Sequence, residues 1–251
     1  MSLLLVGDTH GNAKSLVDSF FIAQDSGATA IVQLGDYGYG WGVNQNGECL
    51  FAELTSELVQ KVGIPFYFID GNHENFTRLY AKPVDENGHR VVAEGVTHLQ
   101  RGSLFHHEGA VYMAFGGAVS VDKGRRKIGK SLWLEEEVIE ADLEFAKASG
   151  SAYVFLSHDA PYGAQTEQDY RWLGGAYGEM AVVESVANQK KVRQALNQSK
   201  AKYVFHGHLH RHYRKTLDNG VIVTGLNAEN DKGSRYLLTV EERLDFTPVD
   251  V

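Results

Sequence analysis

Residues 3–10 read Leu3-Leu4-Leu5-Val6-Gly7-Asp8-Thr9-His10: four apolar residues, a glycine, then a carboxylate and an imidazole two positions apart. A short apolar run of this kind predicts a strand buried on both faces, with polar chemistry set at its carboxyl end. The pattern recurs. Ala30-Ile31-Val32-Gln33-Leu34 leads into Gly35-Asp36, and Pro65-Phe66-Tyr67-Phe68-Ile69 into Gly71-Asn72-His73-Glu74. Tyr153-Val154-Phe155-Leu156 leads into Ser157-His158, and Tyr203-Val204-Phe205 into Gly207-His208-Leu209-His210. Five strands would therefore deliver polar side chains to one rim, which is where open α/β sheets place their sites.

The donors gathered this way are Asp8, His10, Asp36, Asn72, His158, His208 and His210. Mixed oxygen and imidazole donors suit Mn, Fe, Zn, Ni or Co rather than Ca. No thiolate takes part, and a structural zinc site would be cysteine-rich and closed. The pattern points to a hydrolytic site built around two metal ions.

In this order and spacing, D-x-H, G-D, G-N-H-E, H and G-H-x-H resemble the calcineurin-like metallophosphoesterase family over residues 8 to 210. The resemblance implies an α/β fold, a four-layer α-β-β-α sandwich of two mixed β-sheets flanked by helices. It also implies two divalent metal ions, Mn first, with Fe, Zn, Ni or Co as alternatives. Carried over position by position, Asp8, His10, Asp36 and His210 hold one ion, and Asp36, Asn72, His158 and His208 hold the other. Asp36 bridges, since two cations roughly 3.5–4 Å apart need shared negative charge between them.

The same resemblance implies attack by a hydroxide shared between the ions, with His73 protonating the leaving oxygen. In the family that histidine is oriented by an Asp three positions after the bridging Asp. Here Tyr39 stands at that position, so the partner of His73 is left open. Glu74 reads as a helix cap outside the site.

The Ser/Thr phosphatase branch of the family carries Arg after its second Asp and again after G-N-H-E. Those neighbourhoods read Tyr37-Gly38-Tyr39-Gly40-Trp41 and Asn75-Phe76-Thr77-Arg78 here. A phosphoprotein substrate is thereby disfavoured. Tyr37, Tyr39, Trp41 and Arg78 become the substrate-binding candidates, and Tyr162, Tyr170 and Trp172 could help to stack a nucleobase. The expected activity is hydrolysis of phosphodiester bonds in small nucleotides, 2′,3′-cyclic ones among them. A phosphomonoesterase acting on small metabolites or phosphopeptides is the alternative. A scaffold that has lost catalysis is opposed by the survival of the whole ligand set together with His73.

The 251 residues carry a formal charge of −8 and a single cysteine. No linker divides them, so one domain spanning 1–251 is expected. Cys49 reads as a packing residue of a helix. The net charge opposes binding to long nucleic acid, which relies on clustered Lys and Arg. With no basic leader and no apolar span near the ~20 residues a membrane helix needs, a cytoplasmic protein without a membrane partner is expected. Arg125, Arg126, Lys127 and Lys130 read as a solvated loop, from which one could reach a phosphate. His89, His98, His106, His107 and His212 read as hydrogen-bonded structural residues, and His206 as a possible support for His208. Periodicity predicts helices at about 13–25, 48–61, 134–148 and 180–199, and late strands at about 221–226 and 235–240. The β-prone runs between Val91 and Phe115 read as the start of a second, largely antiparallel sheet.

Overall fold

The computed structural model describes residues 2–239 and the backbone of 245–248. The chain opens with β1 (Ser2–Val6), α1 (Ala13–Ser26), β2 (Ala28–Gln33), α2 (Leu50–Val62) and β3 (Phe66–Phe68). These strands pair in parallel through β2. Alternation along β1 sets two layers at once, because successive side chains leave opposite faces of a sheet. Leu3 and Leu5 join the core between the sheets, while Leu4 and Val6 meet Leu16, Phe20 and Ala23 of α1. Asn12 caps α1 as its sequence suggests, accepting from the Ser15 N–H at 3.1 Å. Cys49 is buried, but it precedes α2 rather than lying within it, and its Sγ accepts from Gly40 N at 3.1 Å.

Beyond a short α3 (Phe76–Tyr80), β4 (Arg90–Ala93) and β5 (Val96–His98) complete one side of the first sheet. Its order is finished on the other side by β12 (Arg235–Thr239) and β13 (Asp245–Pro248), giving β13-β12-β1-β2-β3-β5-β4. The second sheet begins only at β6 (Leu104–His107) and β7 (Ala110–Phe115). It continues through β8 (Val154–Ser157), β9 (Tyr203–His206), β10 (Tyr213–Thr216) and β11 (Ile222–Gly225), in the order β10-β11-β9-β8-β7-β6.

Two expectations are corrected here. The 91–99 runs belong to the first sheet, where β5 pairs in parallel with β3. The second sheet is parallel through β7, β8, β9 and β11, and antiparallel only at its edges. The central strands β7, β8, β9 and β11 are buried on both faces over most of their length, so their apolar runs could not reveal strand direction.

The outer face of this sheet is covered by α4 (Glu140–Ser149) and α6 (Glu179–Ser199), with Leu143, Ala146, Val192, Ala195 and Leu196 against Met113, Phe115, Phe155 and Val204. Two mixed sheets with helices outside make the expected four-layer sandwich. The helix read at 134–148 is a 3-10 turn at Leu134–Glu136 followed by α4. An unanticipated α5 (Glu167–Tyr177) precedes α6. Of the strand read at 235–240, residue 240 lies outside the described residues. Among the described residues no helix is long and apolar enough to cross a membrane.

Candidate metal centre

Because β1, β2 and β3 run parallel in one sheet and β8 and β9 run parallel in the other, their carboxyl ends meet at one rim. Asp8, His10, Asp36 and His210 offer donor atoms all within 4.8 Å of one another, and so do Asp36, His158 and His208. Asp36 is common to both groups. Asn72 stands beside the second group, its Oδ1 3.1 Å from His158 Nε2. The seven side chains singled out from the sequence are thus brought together at one place.

The local backbone is bent to make this convergence. His10, Asp36, His208 and His210 have φ of 46°, 55°, 63° and 46°, the left-handed region, which costs a non-glycine residue about 1–2 kcal/mol. Strain repeated at four polar positions around one point is characteristic of a functional site. The glycines before the ligands have a steric reason. A Cβ on Gly35 would overlap the His158 ring, and one on Gly71 would overlap the Asp36 carboxylate.

Hydrogen bonds aim the donors. His158 donates Nδ1–H to the Leu34 carbonyl at 2.8 Å, leaving Nε2 directed at Asp36 Oδ1, 3.4 Å away. Burial disfavours the His158 imidazolium, but the Asp36 and Asp8 charges outweigh it and raise the pKa. His10 behaves alike, with Nε2 3.5 Å from Asp36 Oδ2. Burial opposes ionisation of Asp36, yet the neighbouring histidines hold its carboxyl well below the usual range. His208, pushed down to about 3 by burial and by the charge on His158, presents a neutral ring. Protons and divalent cations compete for these same lone pairs. Two buried carboxylates, an amide oxygen and four imidazoles are a donor set that fits divalent transition ions.

His73 donates its backbone N–H to Asp36 Oδ1 at 2.8 Å, and its carbonyl accepts from Trp41 Nε1. The partner left open by the sequence is Arg126, whose Nη2 donates to His73 Nε2 at 2.9 Å while its Nε pairs with Asp122 at 2.8 Å. Burial lowers the His73 pKa, and Arg126 adds to this against the pull of Asp36. Arg126 is therefore not a merely solvated loop residue. The Arg125-Arg126-Lys127 cluster was the one sequence signal for it.

Three proposed substrate contacts lie elsewhere. Tyr37 is fully buried, its ring packed at a tilt against Phe51, Phe66 and Phe68, with its hydroxyl donating to Phe51 O at 3.2 Å. Tyr39 is buried against Phe68. Arg78 donates to Gly47 O at 2.8 Å, away from the rim. Trp41 alone of the four stands at the site, 52% exposed, with its ring 6.2 Å from His10. Glu74 does not cap a helix, since Asn75 caps α3. Buried, it accepts from Tyr37 N at 2.9 Å and Gly71 N at 3.4 Å, lashing the Asp36 loop to the Asn72 loop. His206 is buried, bonded to Gly207 O and to the Tyr213 hydroxyl at 2.6 Å. Tyr170 donates to Gln189 Oε1, and Tyr162 lies under Lys190.

A cleft of about 960 Å³ starts at Asp36, Asn72, His73, His208 and His210 and runs to Trp172 and Tyr177 of α5. Arg126 lies on its wall.

A family model described as calcineurin-like phosphoesterase matches residues 1–212. No curated protein matches the chain in sequence. Among solved structures, a protein of Thermus thermophilus superposes with a TM-score of 0.58 at 15% identity, covering 98% of either chain. A dimetal phosphatase from Danio rerio superposes with a TM-score of 0.61 at 12% identity, covering 99% of this chain and 96% of that one. At such identities these likenesses concern the fold.

Proposed function

Because the chain belongs to the calcineurin-like phosphoesterase family, a family of metal-dependent hydrolases, we propose that it is a two-metal phosphodiesterase acting on small nucleotides. The observation that carries this reading is the pair of donor groups sharing Asp36 on the wall of a cleft with room for a nucleotide. Asp8, His10, Asp36 and His210 would hold one ion, and Asp36, Asn72, His158 and His208 the other. Mn suits the donors, with Fe, Zn, Ni or Co as alternatives. When bound, such a pair supplies Lewis acidity and an activated water near neutral pH.

The chain's own residues do the rest. Arg126, held by Asp122, meets an anionic phosphate oxygen and in doing so leaves His73 Nε2. His73, freed of the guanidinium and kept in place by its backbone bond to Asp36, takes up a proton from solvent at Nε2 and passes it to the leaving oxygen. Trp172 and Tyr177, 68% and 41% exposed on the cleft wall, offer apolar faces on which a base can stack. They take the place that Tyr37 and Tyr39 cannot fill.

One observation favours a second reading, a phosphomonoesterase. The Arg126 guanidinium stands beside His73, where the extra oxygen of a monoester could pair with it. The Danio rerio protein of similar fold is a dimetal phosphatase. The two readings separate in an assay of cyclic nucleotides, linear dinucleotides, bis-p-nitrophenyl phosphate and phosphomonoesters, after metal removal and restoration of single metals. The diesterase reading expects a nucleotide diester to give the highest kcat/KM. If p-nitrophenyl phosphate exceeds every nucleotide diester, that preference is wrong.

A further inference from the structure

We propose that Ser120 and Glu136 are positioning residues for Asn72, fixing which end of its side-chain amide faces the second metal position. The inference rests on the two-metal reading and concerns a loop between β7 and α4 that contributes none of the seven donors.

The oxygen and nitrogen ends of an asparagine amide have nearly the same shape, but only the oxygen can ligate a cation. Nothing in the outline of Asn72 chooses between them, so the choice falls to its hydrogen-bond partners. Asn72 Nδ2 donates to Ser120 Oγ at 3.0 Å, and Ser120 Oγ donates to Glu136 Oε2 at 2.5 Å. The other oxygen of Glu136 accepts from Trp133 N at 3.0 Å. Burial raises the Glu136 pKa to about 7, against the bonds from Ser120 and Trp133, so above that pH, where the metal titration is run, it is a carboxylate, which accepts and cannot donate. The Ser120 proton is therefore committed to Glu136, and the Ser120 lone pair to Asn72 Nδ2. Asn72 Oδ1 is then left facing His158 Nε2 at 3.1 Å.

Asn72, Ser120 and Glu136 are 3%, 2% and 1% exposed, so bulk water does not compete for these bonds. Both ends of the chain of bonds hang on one guanidinium. Arg101 donates Nε–H to Asp70 Oδ2 at 2.6 Å, two residues before Asn72. Its remaining N–H groups reach the carbonyls of Glu135 at 2.6 Å, Glu136 at 3.2 Å and Glu137 at 3.0 Å. The loop that supplies the acceptor and the loop that supplies the ligand are thus held in one register.

The test is a metal titration rather than an assay of turnover. Wild type, Ser120→Ala, Ser120→Thr and Glu136→Gln are stripped of metal, titrated with Mn²⁺ by calorimetry and checked by elemental analysis, with thermal unfolding of each apo protein as the fold control. Glu136→Gln keeps the shape but introduces a donor, which lets the chain of bonds reverse. The expected result is one ion bound as in wild type and a second bound about 10–100-fold more weakly in Ser120→Ala and Glu136→Gln, the range typical for loss of such an outer partner. Ser120→Thr, which keeps the hydroxyl, should match wild type. Second-ion affinity within twofold of wild type in folded Glu136→Gln would overturn the proposal, as would equal weakening of both ions. If Ser120→Ala fails to fold, Glu136→Gln alone decides. Wild type binding fewer than two ions would instead overturn the two-metal reading beneath it.

Discussion

His158 Nδ1 and the Leu34 carbonyl, 2.8 Å apart, join the rim of one sheet to the rim of the other. Leu34 follows β2 and His158 follows β8, so this bond fixes the ring's tautomer and ties the two rims together at the site. Replacing His158 by Gln removes both the ring donor and its anchor. Metal analysis of the reconstituted variant should show about one ion per chain instead of two, or a second ion weakened by about 10–100-fold. Undiminished binding of both ions would exclude His158 as a ligand.

Gly35 has φ +91°, and a Cβ there would overlap the His158 ring. Gly35→Ala should therefore cost about 1–3 kcal/mol in a denaturant melt, from left-handed strain and overpacking together. It should also lower metal content, because the displaced ring is a proposed ligand. Gly109 has φ +83° with nothing within 4 Å of its would-be Cβ, so Gly109→Ala should lose stability without losing metal.

Arg126 is one of the influences that lower the His73 pKa, acting against the attraction of Asp36. With Arg126→Gln the Asp36 attraction is less opposed and the His73 pKa rises, so His73 keeps its proton to higher pH. The limb of the kcat/KM profile that follows His73 should move to higher pH accordingly. Loss of a charged hydrogen bond to phosphate, about 1.5–3 kcal/mol, should also raise KM for monoesters by roughly tenfold or more. An unshifted profile with unchanged KM would remove Arg126 from the site.

Asp70 is wholly buried; burial alone would raise its pKa, but Arg101 and His98 hold it far below the usual carboxylate value. A folded value below the unfolded one means that this contribution is complete above about pH 4 and fades as pH falls further. Arg101→Met strands the carboxylate and should cost about 3–5 kcal/mol at neutral pH. Chemical denaturation across pH should show that penalty shrinking in acid. A penalty independent of pH would mean the pair is not what stabilises the two loops.

The parts of the fold legible in the sequence were those with a simple period. Leu3, Leu4, Leu5 and Val6 divide between two cores because a strand alternates. The convergence of the seven candidate donors was legible because each follows such a strand. Helix α5 was not, since it is mostly polar, buries only Leu173, and carries Gly174-Gly175, a pair that disfavours a helix. Tyr37 and Tyr39 misled because an aromatic next to a ligand has the same sequence whether it turns to the substrate or to the core. Arg126, Ser120 and Glu136 lie 48–64 residues after Asn72 on a loop with no period, and only the folded arrangement brings them to its side.

The shared carboxylate is the centre of the account, and Asp36→Asn tests it most directly. Elemental analysis of carefully reconstituted wild type should give about two Mn ions per chain, and the variant should lose at least one of them together with nearly all hydrolysis. Wild type with fewer than two ions, alongside an Asp36→Asn variant of full activity, would contradict it.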